Sequence, residues 1–126
     1  FIPKPFTPFQ WCGMEPPASL ERKVKLLEAA VRAMPNVRLK VESLRESYLQ
    51  ALLSRGNRRL SGVLAAMATG VSLRKAAKQC GIDTDECVCR HIPGDEVLPW
   101  SVIGTADREM LRKEYERAMG GGEGNQ

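Results

Sequence analysis

The sequence predicts a mainly α protein, a small helical bundle of about five to six helices with one or two short β-strands. Apolar residues recur at steps of three and four through most of the chain, and the breaks between those runs fall on residues that cap or end helices. The β component rests on a single stretch, residues 36–42, in which apolar and charged side chains alternate strictly.

The chain opens Phe1-Ile-Pro-Lys-Pro-Phe-Thr-Pro-Phe-Gln-Trp11, with Pro3, Pro5 and Pro8 set among four large aromatics. Proline fixes φ and removes a backbone donor, so this stretch cannot form a helix of its own. Residues 1–18 are expected to form an extended Pro/aromatic connection leading from an upstream element. Residues 19–119 form the helical domain, and 120–126, rich in glycine, a flexible tail.

Within the domain the first helix is the plainest. Leu20, Val24, Leu27, Val31 and Met34 share one face, Ser19 is placed to cap the start, and Pro35 ends it. The run Asn36-Val-Arg-Leu-Lys-Val-Glu42 follows, reading as a half-buried strand that needs a partner for its backbone groups, with Phe1–Ile2 or an upstream sheet as candidates.

Ser43 then caps a helix with Leu44, Tyr48, Leu49, Leu52 and Leu53 on its apolar side, ending near Gly56. Asn57 caps a third, carrying Leu60, Val63, Leu64 and Met67, stopped by Gly70. Ser72 caps a fourth with Leu73, Ala76, Ala77 and Cys80, stopped by Gly81. Asp83 caps a short fifth helix over 85–89, with Ile82 and Cys87 placed as a hydrophobic staple. Residues 91–104, with Pro93, Gly94 and Pro99, read as a loop. Thr105 caps a last helix with Leu111, Tyr115, Ala118 and Met119 on one face.

Composition bounds the chemistry. The 126 residues hold 19 basic and 15 acidic side chains, a formal charge of +4. That mild excess, spread over many helix faces, does not argue for nucleic acid. No apolar run is long enough to span a membrane, and no signal-peptide pattern opens the chain, so a cytoplasmic location with reduced thiols is expected. Cys87 and Cys89 are too close for a zinc knuckle, and Cys80 and His91 do not complete a familiar ligand spacing, so no metal ligand is assigned.

Phosphate-binding glycine loops are absent from the sequence, as is Cys-x3-Cys-x2-Cys, and His91 is the one histidine, so no catalytic residue is assigned. Acidic residues at helix starts (Asp83, Asp85, Asp107, Glu109) are explained by the helix dipole. The cluster Arg55, Arg58 and Arg59 is the candidate anion or substrate contact, against a structural alternative of pairing with Glu42 or Glu46 and solvent exposure.

Three segments carry a resemblance: Pro3-Lys-Pro-x-Thr-Pro-Phe-Gln-Trp11, Val41-Glu-Ser-Leu-Arg-Glu-Ser-Tyr-Leu-Gln-Ala-Leu-Leu-Ser-Arg-Gly-Asn-Arg-Arg-Leu60, and Leu98-Pro-Trp-Ser-Val-Ile-Gly-Thr105. Together they resemble the C-terminal region of an uncharacterised family of radical SAM proteins that join a cobalamin-binding-type domain to a radical SAM core. Position 6, often His in that family, is Phe here.

The resemblance implies a [4Fe-4S] cluster and S-adenosylmethionine bound by an upstream Cys-x3-Cys-x2-Cys loop of the same polypeptide, with cobalamin a further cofactor the family admits. The chain itself would hold no cofactor and would act as an accessory or substrate-side region. Phe9 and Trp11 would then line the mouth of the upstream barrel. The competing expectation is an independent helical module that binds RNA or a protein partner through the three arginines. With the upstream barrel missing, association of two copies through the Phe1–Trp11 segment, the 37–41 strand, or both is expected.

Overall fold

The structure, a computed structural model, describes residues 1–104 and 107–120. It contains a 3-10 turn at Pro8–Trp11 and six α-helices: α1 (Pro17–Arg32), α2 (Leu44–Arg55), α3 (Leu60–Ala68), α4 (Leu73–Gln79), α5 (Thr84–Cys89) and α6 (Arg108–Gly120). The helical bundle is therefore as the periodicity predicts.

The predicted strand at 36–42 is not formed. No strand occurs among the described residues, and 37–43 run without regular hydrogen bonding, with Val37, Leu39 and Val41 each at least 40% exposed. Alternation alone makes a strand only when another strand accepts its backbone bonds, and neither Phe1–Ile2 nor any other described segment does so.

Local chemistry explains most helix boundaries. Ser43 Oγ accepts from the Glu46 amide, and Asp83 Oδ1 accepts from the amides of Asp85 and Glu86, each filling orphan donors at a helix start. Asp107 does the same for α6, accepting from Glu109 and Met110. The predicted cap Thr105 lies outside the described residues. Ser19 does not cap α1. That helix begins two residues earlier with Pro17 at its first position, and Ser19 Oγ donates instead to Glu15 at 2.5 Å.

Helices α3 and α4 end alike. Gly70 and Gly81 adopt φ of +88° and +61°, and the amides that follow, Val71 and Ile82, reach back to the carbonyls of Ala66 and Ala77. A left-handed glycine that closes a helix with this six-to-one bond is the Schellman motif.

Two cores result. The first joins α2, α3, α4 and α5 through Ala51, Leu52, Leu60, Val63, Ala76 and Val88, with Met14 inserted from the N-terminal segment. Truncating Leu52 there would cost about 2–5 kcal/mol. The second gathers Trp11, Ile92, Leu98, Trp100 and Leu111, with Tyr115 of α6 against it. Residues 11–14 run between the two. Met14 donates to Val88 O at 2.9 Å, and Trp11 O accepts from Ile92 at 2.8 Å. Gly13 is required at this crossing, because a Cβ there would lie 2.0 Å from Cys89 O. The N-terminal segment thus contributes Met14 to the first core and Trp11 to the second.

Helix α1 is the least covered. It buries no residue fully, and although Leu20 packs on the first core, Leu26, Leu27 and Met34 are more than half exposed.

Candidate functional site

The three candidate arginines separate. Arg55 is buried, only 4% exposed, and its guanidinium fans onto four backbone carbonyls. Nε donates to Cys87 O at 2.9 Å, Nη1 to Gln10 O at 3.3 Å and to Cys12 O, and Nη2 to Arg90 O at 2.5 Å. It therefore clasps the N-terminal segment and the end of α5 to α2. Burial, and then the neighbouring charge of Arg90, pull its pKa down from the ordinary value. The carbonyls compensate by accepting from the charged form. Arg55 faces the interior and pairs with neither Glu42 nor Glu46.

Arg58 and Arg59 are exposed and lie in the turn between α2 and α3. Among the described residues neither side chain has a hydrogen bond or ion pair. Both line a cleft of about 750 Å³ together with Phe6, Pro99, Trp100 and Ile103. Among the described residues, no acidic one lines it. The first amides of α3 are already bonded, Leu60 to Asn57 O at 3.0 Å and Ser61 to Arg58 O at 3.1 Å, so the cleft's positive character comes from the guanidiniums.

Gln10 ties two of these lining residues together. It is 3% exposed, and its Oε1 accepts from Trp100 Nε1 at 2.8 Å and from the Phe6 amide at 3.2 Å. Phe6 has φ of +60°, a left-handed conformation that costs an ordinary residue about 1–2 kcal/mol. The Gln10 bond helps hold it there, with the ring at the mouth of the cleft. On the far side of Phe6 and Trp100 lies a smaller pocket of about 200 Å³ reaching Leu111.

The proposed barrel-mouth residues are placed differently. Trp11 is 1% exposed and fills this domain's own second core. Phe9 is half-buried, edge-on to Phe1 at 5.5 Å and to Tyr115 at 6.3 Å between ring centres. Trp11 therefore presents no free wall.

Among the described residues, no three of His, Cys, Asp and Glu are gathered to hold a metal ion. Burial pushes the thiols of Cys87 and Cys89 up, and the acidic neighbours Asp83 and Asp85, respectively, add to it. Cys80 packs on the first core, and His91 stacks on Tyr115 at 6.2 Å.

Gln10 and Trp100 escape a sequence reading because nothing local distinguishes a buried amide from an exposed one. Arg55 leaves a signal: it continues the 48, 52, 55 spacing of the α2 apolar face, where a cation must be matched by acceptors. Compared with known protein families, characterised proteins and solved structures, the chain matches none of them.

Proposed function

We propose that the chain is the C-terminal accessory region of a radical SAM protein, not catalytic by itself, and that its Arg58–Arg59 cleft is the substrate-side surface. The observation that carries this reading is the resemblance of three segments, combined with where they lie. Pro3–Trp11 supplies Pro5 and Phe6, Val41–Leu60 supplies Arg58 and Arg59, and Leu98–Thr105 supplies Trp100 and Ile103. All three segments that carry the resemblance meet at one cleft. The cluster and S-adenosylmethionine, which supply radical chemistry when bound, belong in this reading to the upstream core of the same polypeptide. The residues of this chain bind and orient.

The test is anaerobic reconstitution with iron and sulfide of the complete reading frame and, separately, of residues 1–126. The reading expects a [4Fe-4S] absorbance and reductive cleavage of S-adenosylmethionine from the complete product and neither from the shorter chain. A stoichiometric cluster on the shorter chain, lost in Cys80→Ser, Cys87→Ser or Cys89→Ser, would overturn it, as would a complete reading frame with no Cys-x3-Cys-x2-Cys.

The second reading, an independent binding module for RNA or a protein, draws support from one feature: Trp11 and Met14 are buried in the chain's own cores. Full stability of residues 1–126 together with the absence of an upstream cluster loop would favour it.

A further inference from the structure

We infer that the cleft lined by Arg58, Arg59, Phe6 and Trp100 binds a phosphomonoester carried on a flat, apolar-faced body, the chemistry of a nucleoside monophosphate. This rests on reading that cleft as the substrate side and names the class of ligand it takes.

Charge comes first. Two guanidiniums, uncommitted to any described group, share a cleft whose described lining holds no carboxylate. A carboxylate ligand would occupy one guanidinium fork. A phosphomonoester, which carries about −1.5 to −2 at pH 7 and three acceptor oxygens, matches both.

Shape comes second. The volume of about 750 Å³ exceeds what a lone phosphate needs and lies in the range of small-molecule sites. The lining that the arginines share is aromatic and aliphatic: Phe6, Trp100 and Ile103. A flat ring system can rest there while its phosphate lies on Arg58 and Arg59.

The third point is Phe6 itself. A left-handed position favours glycine or asparagine. Here the chain places a phenylalanine that is 36% exposed and lines the cleft. Strain of this kind is characteristic of residues that meet ligands. Gln10 joins both aromatic residues through one oxygen and so keeps them in register.

The ligand chemistry has two sources, a free nucleotide or the 5′-phosphorylated end of a single strand. Titration calorimetry on residues 1–126 with AMP, adenosine, inorganic phosphate, and an eight-nucleotide RNA with and without a 5′-phosphate separates them. AMP should bind at least tenfold more tightly than adenosine or phosphate. Arg58→Gln with Arg59→Gln should weaken AMP at least tenfold.

Phe6→Gly should weaken AMP but not phosphate. Glycine suits that backbone, so Phe6→Gly should fold with an unchanged or higher Tm, which separates loss of the ring from loss of the fold. RNA binding at least tenfold tighter than AMP, and dependent on the 5′-phosphate, identifies the strand end as the source. Equal affinities identify the free nucleotide.

The inference is overturned if AMP binds no better than phosphate, if the double arginine variant binds AMP unchanged, or if RNA binds more tightly than AMP and equally with and without its 5′-phosphate. Such a failure, alongside a successful cluster reconstitution of the complete reading frame, would remove the ligand class and leave the accessory-region reading standing.

Discussion

Gln10 accepts the indole N–H of Trp100 at 2.8 Å, joining two buried side chains 90 residues apart. The same oxygen accepts from the Phe6 amide. Gln10→Ala therefore strips two donors of their acceptor, one fully buried. Each unsatisfied donor costs about 1–3 kcal/mol. The variant should lose about 2–3 kcal/mol, with Tm falling by roughly 8–12 °C in thermal denaturation followed by circular dichroism. A loss below about 1 kcal/mol would mean water replaces the amide without cost.

Arg55 should be indispensable, and its neighbours in sequence dispensable, for stability. Only a guanidinium can reach carbonyls of Gln10, Cys12, Cys87 and Arg90 at once. Arg55→Lys keeps the charge but not the fork, and Arg55→Met leaves the carbonyls without a donor. Both should cost about 3 kcal/mol or more in urea denaturation. Arg58→Gln and Arg59→Gln, exposed and unpaired among the described residues, should each stay within about 0.5 kcal/mol of the parent. Equal losses at all three positions would contradict the division of roles.

Association should run through α1 and the segment after it. Leu26 is 71% exposed, Leu27 52%, Met34 52% and Val37 49%, a larger apolar surface than the N-terminal aromatics leave open. Sedimentation velocity should show concentration-dependent dimerisation, abolished by Leu27→Glu with Val37→Glu while Tm holds. Removing residues 1–11 should unfold the chain instead of producing a monomer, because Gln10 and Trp11 belong to its interior. A monodisperse parent chain at high concentration would refute the first part, and a folded deletion variant the second.

Stability should have an acid edge and an alkaline edge of different origin. The carboxyls of Glu15 and Glu96 lie below their usual 4.5 because of hydrogen bonds from Lys23 and from Arg90. Lowered acid pKa values contribute above the unfolded value and are lost as pH falls through the folded one, so the acid edge lies below about 4.5. Both carboxyls are near the surface, and this edge should be shallow.

The thiols of Cys87 and Cys89 are pushed above their usual 9.0 by burial, and the Tyr48 hydroxyl is raised by burial and by its bond to Asp85. Raised values contribute fully below the unfolded pKa and are lost as pH rises through the folded one, placing the alkaline edge above about pH 9. Denaturant midpoints from pH 3 to 11 would reveal both. Cys87→Ala should flatten the alkaline edge and Lys23→Gln the acid one. A midpoint independent of pH above 9 would show that the thiols ionise without penalty.

By itself the sequence determined the helices. Caps at Ser43 and Asp83, glycines at 70 and 81, and three-and-four spacing are local facts, and backbone bonds between residues a few positions apart execute them. Tertiary structure decided everything that depends on a partner distant in sequence. Residues 36–42 alternate like a strand yet meet no second strand. Trp11 reads as a free wall yet fills a core made with Ile92, Leu98 and Leu111.

The three arginines read as one cluster. The α2 helix turns Arg55 inward onto four carbonyls from segments 32 to 45 residues away, while the turn after Gly56 leaves Arg58 and Arg59 facing a cleft. A side chain's charge is legible in sequence. Whether that charge meets acceptors inside the fold or stays available to a ligand depends on contacts that only the folded chain brings together.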